Sequence, residues 1–177
     1  MNKIYSLDRI YIIGPEGSGK STLANIISKK LKIKHYDLDN VVWSRRYDKK
    51  RSHNARLNKL ISITKKKKWI IEGIFGGWTE PAFKNSDLVI ILNLDYSVLV
   101  KNLLKRAFIG RFTGFEKAKT NLKNTLKVIK HVKLYRTRDH EKSYNGHMKM
   151  IKKYKAKFIE IKNKSQLNKL ILDLKES

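Results

Sequence analysis

Apolar and polar positions alternate along the 177-residue chain with two different periods. Short apolar runs rich in β-branched residues predict five strands, at 9–13, 33–37, 69–72, 87–93 and 157–161. Segments with helical spacing lie between and after them, at 19–31, 54–67, 96–109, 116–154 and 166–175. We expect breaks in the long fourth helical segment near Asp139 and at 145–146, and Ser165 as the cap of the last helix. Strands that alternate with helices predict an α/β fold, in which helices cover both faces of a parallel sheet.

The segment after the first predicted strand carries the strongest motif of the chain. Residues 14–21 read Gly-Pro-Glu-Gly-Ser-Gly-Lys-Ser, which fits the pattern G-x-x-x-x-G-K-[ST] of a phosphate-binding loop. The order of strand, glycine-rich loop and helix directs backbone N–H groups and the positive end of the helix toward an anion. The sequence therefore predicts a nucleoside triphosphate held by Gly14, Pro15, Glu16, Gly17, Ser18, Gly19, Lys20 and Ser21.

Four residues of this loop have predicted roles of their own. Lys20 would neutralise the β- and γ-phosphates, and the Ser21 hydroxyl would coordinate the Mg²⁺ that accompanies them. Gly17 and Gly19 let the backbone approach phosphate oxygens, because neither residue carries a Cβ.

Acidic residues stand at the ends of three other predicted strands. Asp37 and Asp39 follow strand two, Glu72 ends strand three, and Asp95 follows strand four. Ligands of such sheets bind at the carboxyl ends of the strands. A carboxylate there can hold Mg²⁺ or accept the proton of an attacking hydroxyl. For Asp37 and Asp39, an ordinary Asx turn is the alternative.

The composition excludes several classes of protein. A length of 177 residues suits one domain, which we take to be 1–177. The chain has no cysteine, which excludes disulfides, thiol nucleophiles and zinc-thiolate sites. No apolar run approaches the roughly 20 residues that cross a bilayer, and residues 1–8 form no apolar signal segment. We therefore expect a cytoplasmic protein with no membrane partner.

The net charge is strongly positive, +26, from 41 Lys and Arg residues against 15 Asp and Glu residues. A charge of this size favours contacts with nucleic-acid phosphates. Lysine is scattered along the chain beside much Ile and Asn, however, and a strongly AT-rich genome would encode that trio without any ligand. We expect any nucleic-acid binding to be nonspecific and sensitive to salt.

The phosphate loop and three further segments together resemble a known family. The segments are 36–43 (YDLDNVVW), 69–73 (WIIEG) and 87–92 (DLVIIL). They resemble small adenylate-kinase-like P-loop proteins known as DNA topology modulation (FlaR-type) proteins, relatives of nucleoside monophosphate and shikimate kinases. The resemblance covers the whole chain. It implies a five-stranded parallel sheet in the order 2-3-1-4-5, a helical lid after strand four at about 106–140, and ATP with Mg²⁺ as cofactors.

The resemblance also implies roles for individual residues. Thr22 would complete the phosphate loop, Asp37 or Asp39 would lie near Mg²⁺ and the acceptor, and the acceptor pocket would be lined by Glu72 and Gly73. Lid arginines of such kinases clamp the transferred phosphoryl group, and they are expected here at Arg106 and Arg111, beside Lys105. A second pair of arginines is possible at Arg136 and Arg138.

One segment departs from the adenylate-kinase pattern. Between strands two and three the chain offers Arg45, Arg46, Arg51 and Arg56 in no arrangement typical of an AMP site. Trp43 precedes them, and it would either stack on a ring of the acceptor or bridge a helix and the sheet. Binding of AMP in particular is therefore not predicted.

Two classes of function follow from these observations. The first is a kinase that transfers the γ-phosphoryl group of Mg·ATP to a nucleotide or another small acceptor. The second is an NTP-dependent nucleic-acid-binding protein that influences DNA topology. A signalling GTPase is a weaker third alternative, because 93–95 lacks the lysine of the guanine-reading motif. The acceptor, the preferred base and the oligomeric state do not follow from the sequence.

Overall fold

A parallel sheet forms the centre of the fold in the computed structural model, which describes residues 7–45, 49–113 and 122–176. Its strands are β1 Arg9–Ile13, β2 His35–Asp37, β5 Trp69–Gly73, β6 Leu88–Leu92 and β7 Phe158–Ile161. They lie in the order β2-β5-β1-β6-β7, and each neighbouring pair is parallel. This confirms the predicted fold class and the predicted order. A short antiparallel hairpin, β3 Trp43–Arg45 and β4 Lys49–Lys50, lies outside the sheet and was not predicted.

Eight helices are present in the described ranges. They are α1 Lys20–Leu31, α2 Leu38–Val42, α3 His53–Thr64, α4 Glu80–Asn85, α5 Tyr96–Thr113, α6 Leu122–Lys133, α7 Tyr144–Tyr154 and α8 Lys164–Glu176. A single 3₁₀ turn, Gly77–Thr79, precedes α4. None of the described helices has the length and apolar character needed to cross a bilayer.

Two predicted helix boundaries are wrong. The break after α6 includes Asp139 as expected, but residues 145–146 lie inside α7, because Ser143 caps that helix by accepting from the Gly146 N–H at 3.2 Å. Gly146 lets the first turn of α7 pack closely against the segment before it, since a Cβ on it would lie 2.2 Å from the His140 carbonyl oxygen. The last helix begins at Lys164 rather than after Ser165, and Asn163 Oδ1 accepts from the Gln166 N–H at 2.9 Å.

Alternate residues of the strands build two separate apolar layers. Ile10, Ile12 and Ile90 pack on one face with residues of α1, α5 and α8. Tyr11 and Ile13 pack on the other face with residues of α3, α4 and α7. Burial of each such side chain stabilises the fold by about 1.5–3 kcal/mol. The two layers hold the strand ends in a fixed register, which positions the loops beyond those ends.

Candidate phosphate-binding site

Residues 14–19 form the turn between β1 and α1, and the first half of this turn is held by α5. Gly17 has φ +78°, and a Cβ on it would lie 2.8 Å from the Leu99 carbonyl oxygen and 2.9 Å from Leu103 Cγ. Asn102 Nδ2 donates to the Gly17 carbonyl oxygen at 2.8 Å. The loop and α5 therefore fit together only because residue 17 has no side chain.

The end of the turn, at Gly19, faces open space. Gly19 is the N-cap residue of α1 with φ +89°, no side chain caps the helix, and a Cβ on Gly19 would meet nothing within 4 Å. Lys20 Nζ donates to the Pro15 carbonyl oxygen at 2.8 Å, so its ammonium group lies across the loop. Ser18 Oγ is buried and has no hydrogen-bond partner among the residues described. An uncapped helix start, a cation and an unused donor are what an anionic group requires.

The carboxyl end of β5 brings an acidic side chain to this loop. Ser21 Oγ donates to Glu72 Oε1 at 2.7 Å, and the Glu72 side chain is only 4% exposed. Glu72 is the register partner of Asp37 on the neighbouring strand β2, so the side chains of Glu72 and Asp37 leave the sheet on the same face. The structure thus brings together Ser21 of the loop and two of the acidic strand ends.

A histidine borders this group of polar side chains. His35 Nδ1 lies 3.0 Å from Asn25 Oδ1, and its Nε2 lies 3.9 Å from Glu72 Oε1. Burial lowers the pKa of His35 below its ordinary value, against the opposing charge of Asp37. The ring is therefore neutral near pH 7, and its approach to Glu72 is not an ion pair.

The Asx turn considered for Asp37 and Asp39 is present. Asp37 Oδ1 accepts from the Asp39 N–H at 2.8 Å and caps α2. Both side chains remain partly accessible to solvent. The turn fixes the carboxyl group of Asp37, the register partner of Glu72 at the end of β5, so a local structural role and a chemical role are compatible for Asp37.

The residues expected to contact an acceptor have contacts within the protein. A Cβ on Gly73 would lie 2.9 Å from Leu38 Cβ, so this glycine allows α2 to pack on β5. Trp43 is half-buried against the apolar layer that contains Tyr11. Arg51 donates to the carbonyl oxygens of Asn40 and Trp43, which ties the start of α3 to the end of α2. The stacking role of Trp43 stays a prediction.

Of the expected lid arginines, the structure describes one side chain. Arg106 is exposed on α5, one turn beyond Asn102, which contacts the phosphate loop. Residues four apart share a helix face, so Arg106 lies on the side of α5 that faces the loop. Arg111 belongs to the end of α5, and its side chain lies outside the described residues, as does 114–121 of the expected lid.

Arg136 joins the segment after α6 to the end of β6. Its Nε donates to Asn93 Oδ1 at 2.9 Å, and its Nη2 donates to the Asn93 carbonyl oxygen at 2.8 Å and approaches Asp95 Oδ1 at 3.4 Å. Arg138, unlike Arg136, lines a cavity of about 530 Å³, whose wall also includes Glu16 of the loop and Ile74. Arg138 Nε is buried and has no partner among the described residues.

A buried series of hydrogen bonds from Tyr135 through His147 to Ile74 holds the far side of this cavity in place. The His147 ring accepts from the Tyr135 hydroxyl at 3.0 Å through Nδ1, and Nε2 donates to the Ile74 carbonyl oxygen at 3.0 Å. Burial lowers the pKa of His147 to about 4, helped by the charge of Lys20. The ring is neutral, which is the state that both hydrogen bonds require. Gly76 lets the segment after β5 pack closely against the backbone of Glu141, since a Cβ on it would lie 2.0 Å from the Glu141 carbonyl oxygen.

The sequence did not predict roles for Asn102, His147 or Gly76, and Asn93 entered only through the comparison of 93–95 with the guanine-reading motif. The only local signal was the closely spaced pair of glycines in 75–78 (FGGW), which indicates a close approach of another backbone. No group of three or more His, Asp or Glu side chains suited to a metal ion occurs within the ranges that the structure describes.

The fold and the glycine-rich loop define a P-loop nucleotide-binding protein of the α/β class. Shikimate kinase from Acinetobacter baumannii in complex with shikimate superposes with a TM-score of 0.58 at 14% identity, over 97% of this chain and 93% of that one. Shikimate kinase from Bacteroides thetaiotaomicron gives 0.53 at 17% identity, over 97% and 98%. These likenesses show the fold.

A family model described as AAA domain matches residues 10–109, more than half of the chain. The chain belongs to this family.

Three curated relatives are similar over part of their length. The uncharacterized protein YqaC of Bacillus subtilis is 36% identical over 101 residues, 56% of each chain. A cytidylate kinase of Sulfurisphaera tokodaii is 30% identical over 112 residues, 55% of this chain and 61% of that protein. A shikimate kinase of Legionella pneumophila is 43% identical over 42 residues, 24% of each chain. The chain thus matches less than two thirds of each of these relatives.

Proposed function

We propose that this protein is a kinase that binds Mg·ATP and transfers the γ-phosphoryl group to a small acceptor. The observation that carries the proposal is the hydrogen bond between Ser21 and Glu72, at the point where the phosphate loop meets the end of β5. Relatives named as cytidylate and shikimate kinases support the reaction class. The resemblance to DNA topology modulation proteins stays a prediction.

The loop fits the triphosphate of ATP. The backbone is open at Gly19, Lys20 offers a charge from α1, and Ser18 offers a buried hydroxyl that has no partner in the described structure. Residues 14 to 22 would hold the cofactor. Mg·ATP supplies the phosphoryl group to be transferred and the divalent charge that offsets its negative charge.

Glu72 orients the serine for its role at the metal. Because Ser21 donates its proton to Glu72 Oε1, the lone pairs of its oxygen point away from the carboxylate and stay available to a cation. Glu72 is nearly fully buried, so water would screen the attraction between its carboxylate and a nearby cation only weakly. Glu72 therefore acts by positioning Ser21, in addition to the acceptor contact predicted from the sequence.

The acceptor would lie over the ends of β2 and β5. Asp37 and Asp39 border this region, and either carboxylate can take the proton of an attacking hydroxyl. The cavity of about 530 Å³ beside Glu16 and Ile74 has the size of a small-molecule site. Positioning and charge neutralisation by Lys20 and Arg106 supply most of the rate enhancement in this scheme.

The experiment is an acceptor screen in which ADP formation and the phosphorylated product are followed together. Shikimate and cytidine monophosphate are suitable first acceptors, followed by other small hydroxyl- and phosphate-bearing metabolites. We expect ADP formation that depends on one acceptor class and on Mg²⁺, and a large loss in Ser21→Ala. If ADP formed at the same rate whether or not any acceptor was present, the protein would be an NTPase, and the proposal would be contradicted.

A further inference from the structure

The lysines that are scattered in the sequence come together on one edge of the sheet. Three connections that lead into strands, each taken together with the end of the helix before it, carry four exposed lysines apiece. They are Lys29, Lys30, Lys32 and Lys34 before β2; Lys65, Lys66, Lys67 and Lys68 before β5; and Lys152, Lys153, Lys155 and Lys157 before β7. All strands of the sheet are parallel, so these connections share the amino edge, opposite the phosphate loop.

Backbone hydrogen bonds join the starts of neighbouring strands along this edge. The Lys34 carbonyl oxygen accepts from the Ile70 N–H at 3.0 Å, and the Lys157 carbonyl oxygen accepts from the Val89 N–H at 2.8 Å. The starts of β1 and β6 lie between the segments before β5 and β7, and the Asp8 carbonyl oxygen before β1 accepts from the Trp69 N–H at 2.8 Å. With strands about 4.8 Å apart, the row is about 19 Å wide. We call this row, with the lysines of the three connections, the lysine edge.

The acidic residues close to the lysine edge are already paired. Asp87 accepts from Arg9 at 2.6 Å, and Asp8 lies 2.8 Å from Lys68 Nζ. Glu80 pairs with Lys153 at 3.0 Å. One or two lysines per helix end would suffice to complement the helix dipole. The remaining positive charge along this edge of the sheet therefore exceeds what the fold itself uses.

Aromatic side chains interrupt the lysines at one end of this row. Residues 153–158 read Lys-Tyr-Lys-Ala-Lys-Phe. Phe158 is 41% exposed and lies on β7, an outer strand of the sheet. Tyr154 lines a second cavity, of about 460 Å³, together with Lys65 and Lys84. Lysines with accessible aromatic rings between them combine charge for a phosphate backbone with surfaces on which bases stack.

We propose that the lysine edge binds single-stranded nucleic acid without sequence preference. A nucleic-acid strand uses both features of the edge, because its phosphates contact the lysines and its bases stack on the rings of Phe158 and Tyr154. An anionic membrane would use the charge alone. This site lies at the edge of the sheet opposite the phosphate loop, so binding requires neither ATP nor the acceptor, and it does not depend on the proposed kinase activity.

The test is fluorescence anisotropy of a labelled oligothymidine across a series of salt concentrations. The edge variant carries Lys66→Gln, Lys67→Gln, Lys152→Gln and Lys157→Gln, four exposed lysines whose side chains have no ion-pair partner among the described residues. Its matched control carries Lys101→Gln, Lys130→Gln, Lys133→Gln and Lys169→Gln, exposed lysines on α5, α6 and α8. The two variants have the same net charge, so a difference in their affinity for oligothymidine reports the position of the removed lysines rather than the number removed.

We expect the slope of log affinity against log salt to fall by about 3 in the edge variant, at about 0.7 per phosphate contact, and to stay unchanged in the control. Phe158→Ala should weaken binding roughly tenfold with an unchanged slope. Lys20→Ala should bind oligothymidine as the wild type does, because this binding does not use the phosphate loop. The test of the lysine edge is therefore independent of the test of the nucleotide site. Equal losses in the edge and control variants would overturn the proposal. It would also be overturned by tighter binding to a duplex, or by phosphatidylserine vesicles that compete as well as unlabelled oligothymidine.

Discussion

Two glycines of the phosphate loop provide a direct test of how that loop is built. Gly17 and Gly19 both have positive φ values, +78° and +89°, so alanine at either position costs about 1–2 kcal/mol of backbone strain. Only Gly17 is packed, because its Cβ would lie within 3 Å of Leu99 and Leu103. Overpacking of this kind adds about 1–3 kcal/mol. We therefore expect Gly17→Ala to lower the free energy of unfolding by about 2–5 kcal/mol, and Gly19→Ala by about 1–2 kcal/mol.

Urea unfolding followed by circular dichroism measures this difference, and a thermal-shift titration with Mg·ATP supplies the second readout. The Cβ of Gly19→Ala would project into the space that we assign to phosphate, so this variant should lose the nucleotide-induced shift while remaining folded. Gly17→Ala should lose mainly stability. Equal loss of stability in the two variants, or a full nucleotide shift in Gly19→Ala, would refute this description of the loop.

Two further predictions concern the lid arginine and the buried histidine. Arg106→Ala should lower turnover at least 10³-fold with little change in ATP affinity, the size of effect that an arginine at a transferring phosphoryl group has. Steady-state kinetics check this, with Lys101→Ala, at an exposed lysine on the same helix, as the control, and unchanged turnover in Arg106→Ala would remove Arg106 from the site. The pKa of His147 falls to about 4 on folding, so the unfolded chain binds an extra proton between that pH and about 6.5. The contribution of His147 to the free energy of unfolding should be complete above about pH 6.5 and fall by about 3 kcal/mol as the pH drops toward 4. Urea unfolding at several pH values should show this loss in the wild type and much less of it in His147→Gln. Identical profiles for the two proteins would contradict the assignment of a buried neutral ring.

The features that the sequence predicted are those with a local signal. The phosphate loop is a contiguous motif, and the five strands are short apolar runs between helices with clear periodicity. The order of the strands came from the resemblance and is confirmed by the pairing. Helix α2, with five residues, is too short for helical periodicity to identify, so it was not predicted.

The features that were missed depend on contacts between distant parts of the chain. Arg136 and Asn93 are 43 residues apart, and His147 and Ile74 are 73 apart. Neither pair leaves a periodic pattern in its own segment, so only the fold brings the partners together. The lysine edge is a similar case, because its three connections are separated in the sequence and reach the same edge of the sheet only when the parallel strands pair.

The central claim is that Mg·ATP binds at the loop through Lys20, and isothermal titration of Mg·ATP into wild type, Lys20→Ala and Lys29→Ala tests it most directly. Lys29 is an exposed lysine in the last turn of the same helix, so it controls for the loss of one charge. The account predicts that binding is lost in Lys20→Ala and unchanged in Lys29→Ala, with all three proteins equally folded. At a ligand concentration 100 times its Kd, the wild type should also gain about 2.7 kcal/mol of stability. Equal Mg·ATP affinity in the wild type and Lys20→Ala would contradict the account.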